Sequence, residues 1–159
     1  NWKPTEHAVR YTVAYRVKGG KKWTYFSTTA CNYTFKNLKV KSTYQFRVQA
    51  VSPFGAGAYS ATVSKQALPP TPGSVKVQRI SAKSAKVSWS KSQGFTGYYI
   101  LRSTDKNFKK NVKKITVKSN KALSYTDKSV KKGTRYYYKV CRYTGKTSGS
   151  YSKTVSVKI

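Results

Sequence analysis

Tyr44-Gln45-Phe46-Arg47-Val48-Gln49-Ala50 alternates apolar and polar side chains without a break, and Tyr136-Tyr137-Tyr138-Lys139-Val140 takes up the same rhythm further along the chain. Successive side chains of an extended strand point to opposite faces, so a period of two buries one face and wets the other. Working outward, Tyr11-Thr12-Val13-Ala14-Tyr15-Arg16-Val17 places its apolar residues at odd positions, and Ala85-Lys86-Val87-Ser88-Trp89 and Tyr98-Tyr99-Ile100-Leu101 read as strands separated by turn-rich segments. No ten-residue stretch shows apolar positions at helical spacing, Met is absent, and Tyr, Thr and Val are abundant. The whole chain therefore reads as β. Strands recurring every ten or so residues are the mark of a sandwich.

A repeat divides the 159 residues. Trp2 precedes Tyr11 by nine residues, as Trp89 precedes Tyr98; Leu38 precedes Tyr44 by six, as Val130 precedes Tyr136; and Tyr44 to Tyr59 equals Tyr136 to Tyr151 at fifteen. Between the halves lies Pro69-Pro70-Thr71-Pro72-Gly73, whose prolines fix the backbone and withhold amide donors, so no strand passes through. The expected modules are residues 1–68 and 69–159, with the Pro-rich linker at 69–73.

Hydrophobic residues make up only 38%, so the 14 Tyr, 6 Phe and 3 Trp must carry the core. No apolar run approaches the roughly 18 to 20 residues that a membrane helix needs, so no membrane insertion is expected. No signal peptide opens the sequence. Asn1-Trp2-Lys3-Pro4 lacks an initiator Met, which suggests a fragment of something longer. Cys31 and Cys141 fall on separate halves without C-x-x-C spacing, so they read as two small hydrophobes, with neither zinc nor a disulfide framework indicated.

Charge is the strongest anomaly. The 33 basic residues, 26 of them Lys, face Glu6, Asp105 and Asp127, for a formal net charge of +30. Lysine is a flexible, strongly hydrated point charge that suits diffuse attraction to a polyanion better than recognition of one anionic group. The bland alternative is that lysine solubilises exposed strands and blocks edge-to-edge pairing.

Trp, then Tyr-x-Val-x-Tyr, then Leu before Tyr-x-Phe-x-Val-x-Ala, then Gly-x-Tyr-Ser resembles the fibronectin type III pattern over nearly the whole chain. The resemblance implies an all-β fold of two tandem immunoglobulin-like antiparallel β-sandwiches. It implies that Trp2 and Trp89 are the core tryptophans of the second strand, and that Tyr44 and Tyr136 form tyrosine corners beneath Leu38 and Val130. The second half, with Gly97-Tyr98-Tyr99-Ile100-Leu101-Arg102-Ser103 and Ser124-Tyr125-Thr126-Asp127, is similar to modules of Gram-positive bacterial surface proteins and secreted glycan-degrading enzymes.

Two departures carry expectations. Arg142 stands where the first half has Ala50, so the end of that strand is expected to leave the core and its guanidinium to reach water. The first half also has no counterpart of Ser74 to Val87, so its sandwich lacks the N-terminal strand. Such an opening exposes a sheet edge and core surface, and the expected remedy is an N-terminal extension or another chain that completes the first sandwich.

Catalytic constellations are absent from the pattern. Glu6 and His7 are adjacent, but neighbours in a loop usually point apart, and no third group accompanies them. Asp127 lies just before the second tyrosine corner, where a carboxylate can accept backbone amides, a structural role. Three acids and one His leave no metal cage, and no cofactor is implied. The loop Ser52-Pro53-Phe54-Gly55-Ala56-Gly57 contains no Arg-Gly-Asp tripeptide, which excludes integrin recognition by that motif. Phe54 at its tip is either a contact residue or, the favoured expectation, a cap over the sandwich end.

The run from Lys106 to Lys114 is the most suggestive binding segment. Lys106, Lys109, Lys110, Lys113 and Lys114 surround Phe108, and such a loop could track sulfates or phosphates with steep salt dependence. Lys18, Lys21, Lys22, Lys36, Lys39 and Lys41 are a looser counterpart in the first half.

The expected function is a non-catalytic extracellular spacer and adhesion segment of a secreted or cell-surface protein, contacting an anionic polysaccharide or cell-wall polymer such as teichoic acid or sulfated glycan. The alternatives are an accessory module of a glycan-degrading enzyme and a spacer without ligand. Specific nucleic-acid binding is not expected, because no stacking platform accompanies the pI of 10.3.

Overall fold

The computed structural model describes all 159 residues, in two compact units, Asn1–Ala67 and Leu68–Ile159. Every regular element is a strand.

The second unit is a complete two-sheet sandwich. One sheet joins β6 (Lys76–Ser81), β7 (Ser84–Ser88) and β10 (Ser124–Asp127) in the order β10-β7-β6. The other is built on β11 (Arg135–Thr144), which pairs with β8 (Gly97–Ser103) on one side and with β12 (Thr147–Ser148) and β13 (Val155–Lys158) on the other; β9 (Lys113–Val117) closes the far edge on β8. All pairs are antiparallel, with Val140 opposite Ile100 and Ile100 opposite Ile115. Period-two alternation sends Tyr98 and Ile100 of β8 and Tyr136, Tyr138 and Val140 of β11 inward, onto Ala85, Val87 and Trp89 from the facing sheet. Trp89 lies just past β7 and joins it to the strand after the loop: its amide donates to Leu123 O (3.0 Å) and its indole Nε1 to Ala122 O (2.9 Å).

Arg142 corrects one expectation. It does not reach water; it is 4% exposed, on the inward face of β11, with its guanidinium carbon 5.2 Å from the centre of the Phe95 ring. Its Nη1 donates to Pro70 O (3.1 Å) and Thr71 O (3.2 Å). Prolines remove donors from the linker but leave its carbonyls, and a buried arginine at the end of the core supplies what they lack.

The first unit departs further from expectation. It holds a single sheet, β2 (Thr24–Thr28), β1 (Arg10–Val17), β3 (Thr43–Ser52) and β4 (Gly55–Tyr59) in the order β2-β1-β3-β4, with β5 (Val63–Gln66) also on β3. The strands that would face this sheet do not assemble into a second one. Residues 29–38, which include the counterpart of β10, form no strand. Trp2 N still donates to Cys31 O (3.0 Å), the rung that Trp89 makes to Leu123, but Trp2 Nε1 is shut off from solvent without an acceptor.

The inward face of this sheet is aromatic. Tyr15, Phe26, Tyr33, Phe35 and Phe46 form a connected cluster, with ring centres 4.9 to 6.0 Å apart along Tyr33–Phe35, Phe35–Phe46, Tyr15–Phe35 and Tyr15–Phe26. Beside the cluster runs an open groove of about 540 Å³ bordered by Trp2, Val13, Val48 and Val63. Phe54 is also not a cap: it stands 97% exposed at the β3–β4 turn, where Gly55 takes a φ of 137°. With no second sheet there is no closed sandwich end for it to cover.

Candidate functional site

The two tyrosine corners have the same geometry. Tyr44 Oη accepts from Lys39 N (3.0 Å) and Tyr136 Oη from Lys131 N (3.1 Å), each five residues upstream. Leu38 and Val130 precede those amides, and Val130 is buried in the core of the second unit. These residues pack; they present no chemistry to solvent.

Asp127 is the most heavily engaged polar group. At 1% exposure it accepts from Ser129 N (3.0 Å), Ser129 Oγ (2.7 Å), Arg102 Nη1 (3.0 Å) and Tyr138 Oη (3.2 Å). Burial pushes its carboxyl up, but the Ser129 hydrogen bonds and the Arg102 guanidinium outweigh burial and hold it below the ordinary carboxylate value. Burial and the neighbouring carboxylate push the Tyr138 phenol far up. A carboxylate saturated by four donors is a strut, with no lone pair aimed at a substrate.

Glu6 and His7 do not point apart. His7 takes a φ of 60°, which turns its Nε2 to within 3.6 Å of Glu6 Oε1, and both side chains are exposed. No cluster of three or more His, Cys, Asp or Glu is placed to hold a metal.

The lysine run does not stay in one loop. Lys106, Lys109 and Lys110 lie in the β8–β9 connection, pinned by Asp105, whose carboxylate accepts Lys109 N (2.8 Å), and by Ser103 Oγ, which donates to Lys110 O. Lys113 and Lys114 already belong to β9 and point to opposite faces, across from Arg102 and Leu101. Lys114 Nζ sits 3.6 Å over the Tyr99 ring, which stacks on Tyr143 (4.3 Å). Lys139 Nζ, absent from the sequence candidates, lies 4.3 Å from the Phe108 ring centre and 5.2 Å from that of Tyr151. The outer face of the second unit thus alternates ammonium groups with aromatic rings.

A related row on the outer face of the first unit was not legible as a site. Arg16, Trp23, Arg47 and Tyr59 come together there: the Arg16 guanidinium lies 4.5 Å and that of Arg47 4.2 Å from the Trp23 ring centre, and Arg47 also lies 3.9 Å over Tyr59. The strand alternation puts Arg16 and Arg47 on the polar face, but only the pairing of Ala14 with both Tyr25 and Arg47 brings the three strands into one row.

Residues 1–66 and 69–158 each match the fibronectin type III domain, whose sandwich topology the second unit displays in full. The chain belongs to the fibronectin type III family. Fibronectin type III modules are non-catalytic spacer and adhesion domains found mainly outside the cell or at its surface. The chain is 29% identical over 66% of its length to human "Fibronectin type-III domain-containing protein 3A", and 28% identical over 95% of its length to "Interference hedgehog" of Drosophila willistoni. It spans only 9% and 18% of those proteins. Among solved structures it resembles a two-domain fibronectin type III segment of chicken tenascin (TM-score 0.55, 16% identity, 99% of this chain and 88% of that one). It also resembles the FN1-FN3 domains of chicken CNTN1 (TM-score 0.51, 24% identity, 93% and 53%). These likenesses show the fold. No helix is long and apolar enough to cross a membrane.

Proposed function

We propose that this tandem fibronectin type III segment is a non-catalytic extracellular spacer that also adheres to an anionic polymer. The observation that carries the reading is the state of the cations: of 33 Lys and Arg side chains, Arg102 alone is paired with a carboxylate. The counter-charge must come from outside the fold, and a polymer that displaces many small ions at once binds by counter-ion release. The named relatives are animal proteins, which favours a sulfated glycan over the teichoic acid of a bacterial surface. The lack of catalysis is supported by the saturation of Asp127 and the exposure of the Glu6–His7 pair.

The test is salt elution from immobilised heparin beside a plain sulfonate exchanger, for the wild type and for Lys109→Ala with Lys110→Ala and Lys113→Ala. Retention on heparin to clearly higher salt, lowered in the triple variant by more than on the sulfonate exchanger, supports a polyanion site at the β8–β9 connection. Release from both resins at the same salt overturns it and leaves a plain spacer.

The open aromatic face of the first unit supports a second element of the proposal: a further polypeptide segment, of the parent chain or a neighbour, lays strands across it and pairs with residues 31–35. Placing a copy of Ser74–Val87 ahead of Asn1 should abolish binding of an apolar dye to this unit. Unchanged dye binding with a folded product would refute that reading.

A further inference from the structure

We infer that the outer face of the first unit carries a discrete oxyanion site, formed by Arg16 and Arg47 against Trp23, that takes an anionic saccharide. The inference rests on the anionic-polymer reading above but places a specific site on the other unit, in arginines and not in the lysine run.

Two guanidinium groups share one indole ring, at 4.5 and 4.2 Å, and neither has a carboxylate partner. Arg16 commits only its Nε, to Gln45 Oε1 (2.8 Å), and Arg47 only one terminal nitrogen, to Tyr25 Oη at a long 3.4 Å. Arg47 Nε is shut off from solvent and faces no acceptor at all. Stacking covers the flat faces of a guanidinium and leaves its in-plane N–H groups free, which is the arrangement that receives a sulfate or carboxylate through two parallel hydrogen bonds. Here Arg47 packs against the rings of Trp23 and Tyr59, and that packing lowers the side-chain entropy lost on binding. Two unneutralised cations around one ring also repel each other, and an anion relieves that repulsion.

The neighbouring surface fits a sugar. Tyr25 is 52% exposed on the same face, directly across Ala14 from Arg47, and Ala14 is too small to rise between them. An exposed aromatic ring beside a cationic fork offers a stacking surface for a pyranose whose substituent carries the charge. Gln45 and Gln49 line β3 on this face, and Gln49 Nε2 is held by Gly57 O (2.7 Å), so the polar border is fixed as well.

The test uses the whole chain, a heparin-derived hexasaccharide and a hexamer of galacturonic acid, titrated while the Trp23 indole and the arginine Nε–H resonances are followed by NMR. The expected result is selective shifts at Trp23, Arg16 and Arg47, and at least a tenfold loss of affinity in Arg16→Lys with Arg47→Lys. That double variant keeps the net charge of +30, so charge alone cannot account for a loss. The Lys109, Lys110, Lys113 triple variant should keep these shifts. Unchanged affinity in the double lysine variant, or shifts confined to the lysines of the second unit, overturns the site while leaving the polyanion reading intact. Absence of any binding by the wild type overturns both. Should the double variant fail to fold, Tyr25→Ser decides: it lies at the exposed edge, and an affinity equal to wild type rejects the site. The two hexamers separate sulfate from carboxylate recognition.

Discussion

The guanidinium of Arg142 hydrogen-bonds the carbonyl oxygen of Pro70 at 3.1 Å, 72 residues back along the chain, and thereby ties the strand at the centre of the second sandwich to the proline-rich segment that leads into it. Arg142→Ala removes two charge-assisted hydrogen bonds and the stacking on Phe95, leaving two carbonyls short of a donor. The expected cost is about 2 to 3 kcal/mol, read as a lower melting temperature of the second unit in calorimetry, with Arg142→Lys recovering only part of it.

Asp127 sets the acid limit of the second unit. Its carboxyl titrates below the ordinary value of 3.8 in the folded state, so the unfolded chain takes up the proton first. The stabilisation is complete above that ordinary value and is lost as pH falls through the depressed folded one. Asp127→Asn should flatten this acid slope and, by stranding Arg102, cost about 3 kcal/mol at neutral pH. At the other end, Tyr138 is raised above its ordinary 10.0, so its contribution is present below pH 10.0 and declines as pH rises beyond it. Urea unfolding at a series of pH values reads both limbs.

Gly97→Ala should damage the edge of the second sheet although the change is a single methyl. A Cβ at Gly97 would collide with the backbone carbonyl of Val117 and lie 2.9 Å from the Tyr143 ring. Backbone cannot swing aside as a side chain can, so β9 must shift off β8. A loss of about 1 to 3 kcal/mol is expected, together with faster amide exchange along Lys113–Val117.

Heating should resolve two transitions, the first unit melting before the second. One sheet with its aromatic face open buries less apolar surface for each ordered residue than a closed sandwich does. Tyr44→Phe should lower only the first transition and Tyr136→Phe only the second. Each corner loses one hydrogen bond, a cost of about 1 kcal/mol. A single transition shifted by both variants would contradict the assignment.

Much of this was written in the sequence. Strand alternation predicted β1, β3, β7, β8 and β11, and the equal spacings predicted two copies of one module, because these depend only on neighbours along the chain. What the sequence left undecided depends on which segments lie side by side. Arg142 reads as a surface residue until the linker carbonyls are found against it. Phe54 reads as a cap over the sandwich end until the facing sheet proves absent, and the five lysines read as one loop until strand pairing takes Lys113 and Lys114 into β9 on opposite faces. The row of Arg16, Trp23, Arg47 and Tyr59 has no signature at all along the chain. It arises because antiparallel pairing sets Ala14 between Tyr25 and Arg47, and hydrogen-bonded register across three strands is a property of the tertiary structure alone.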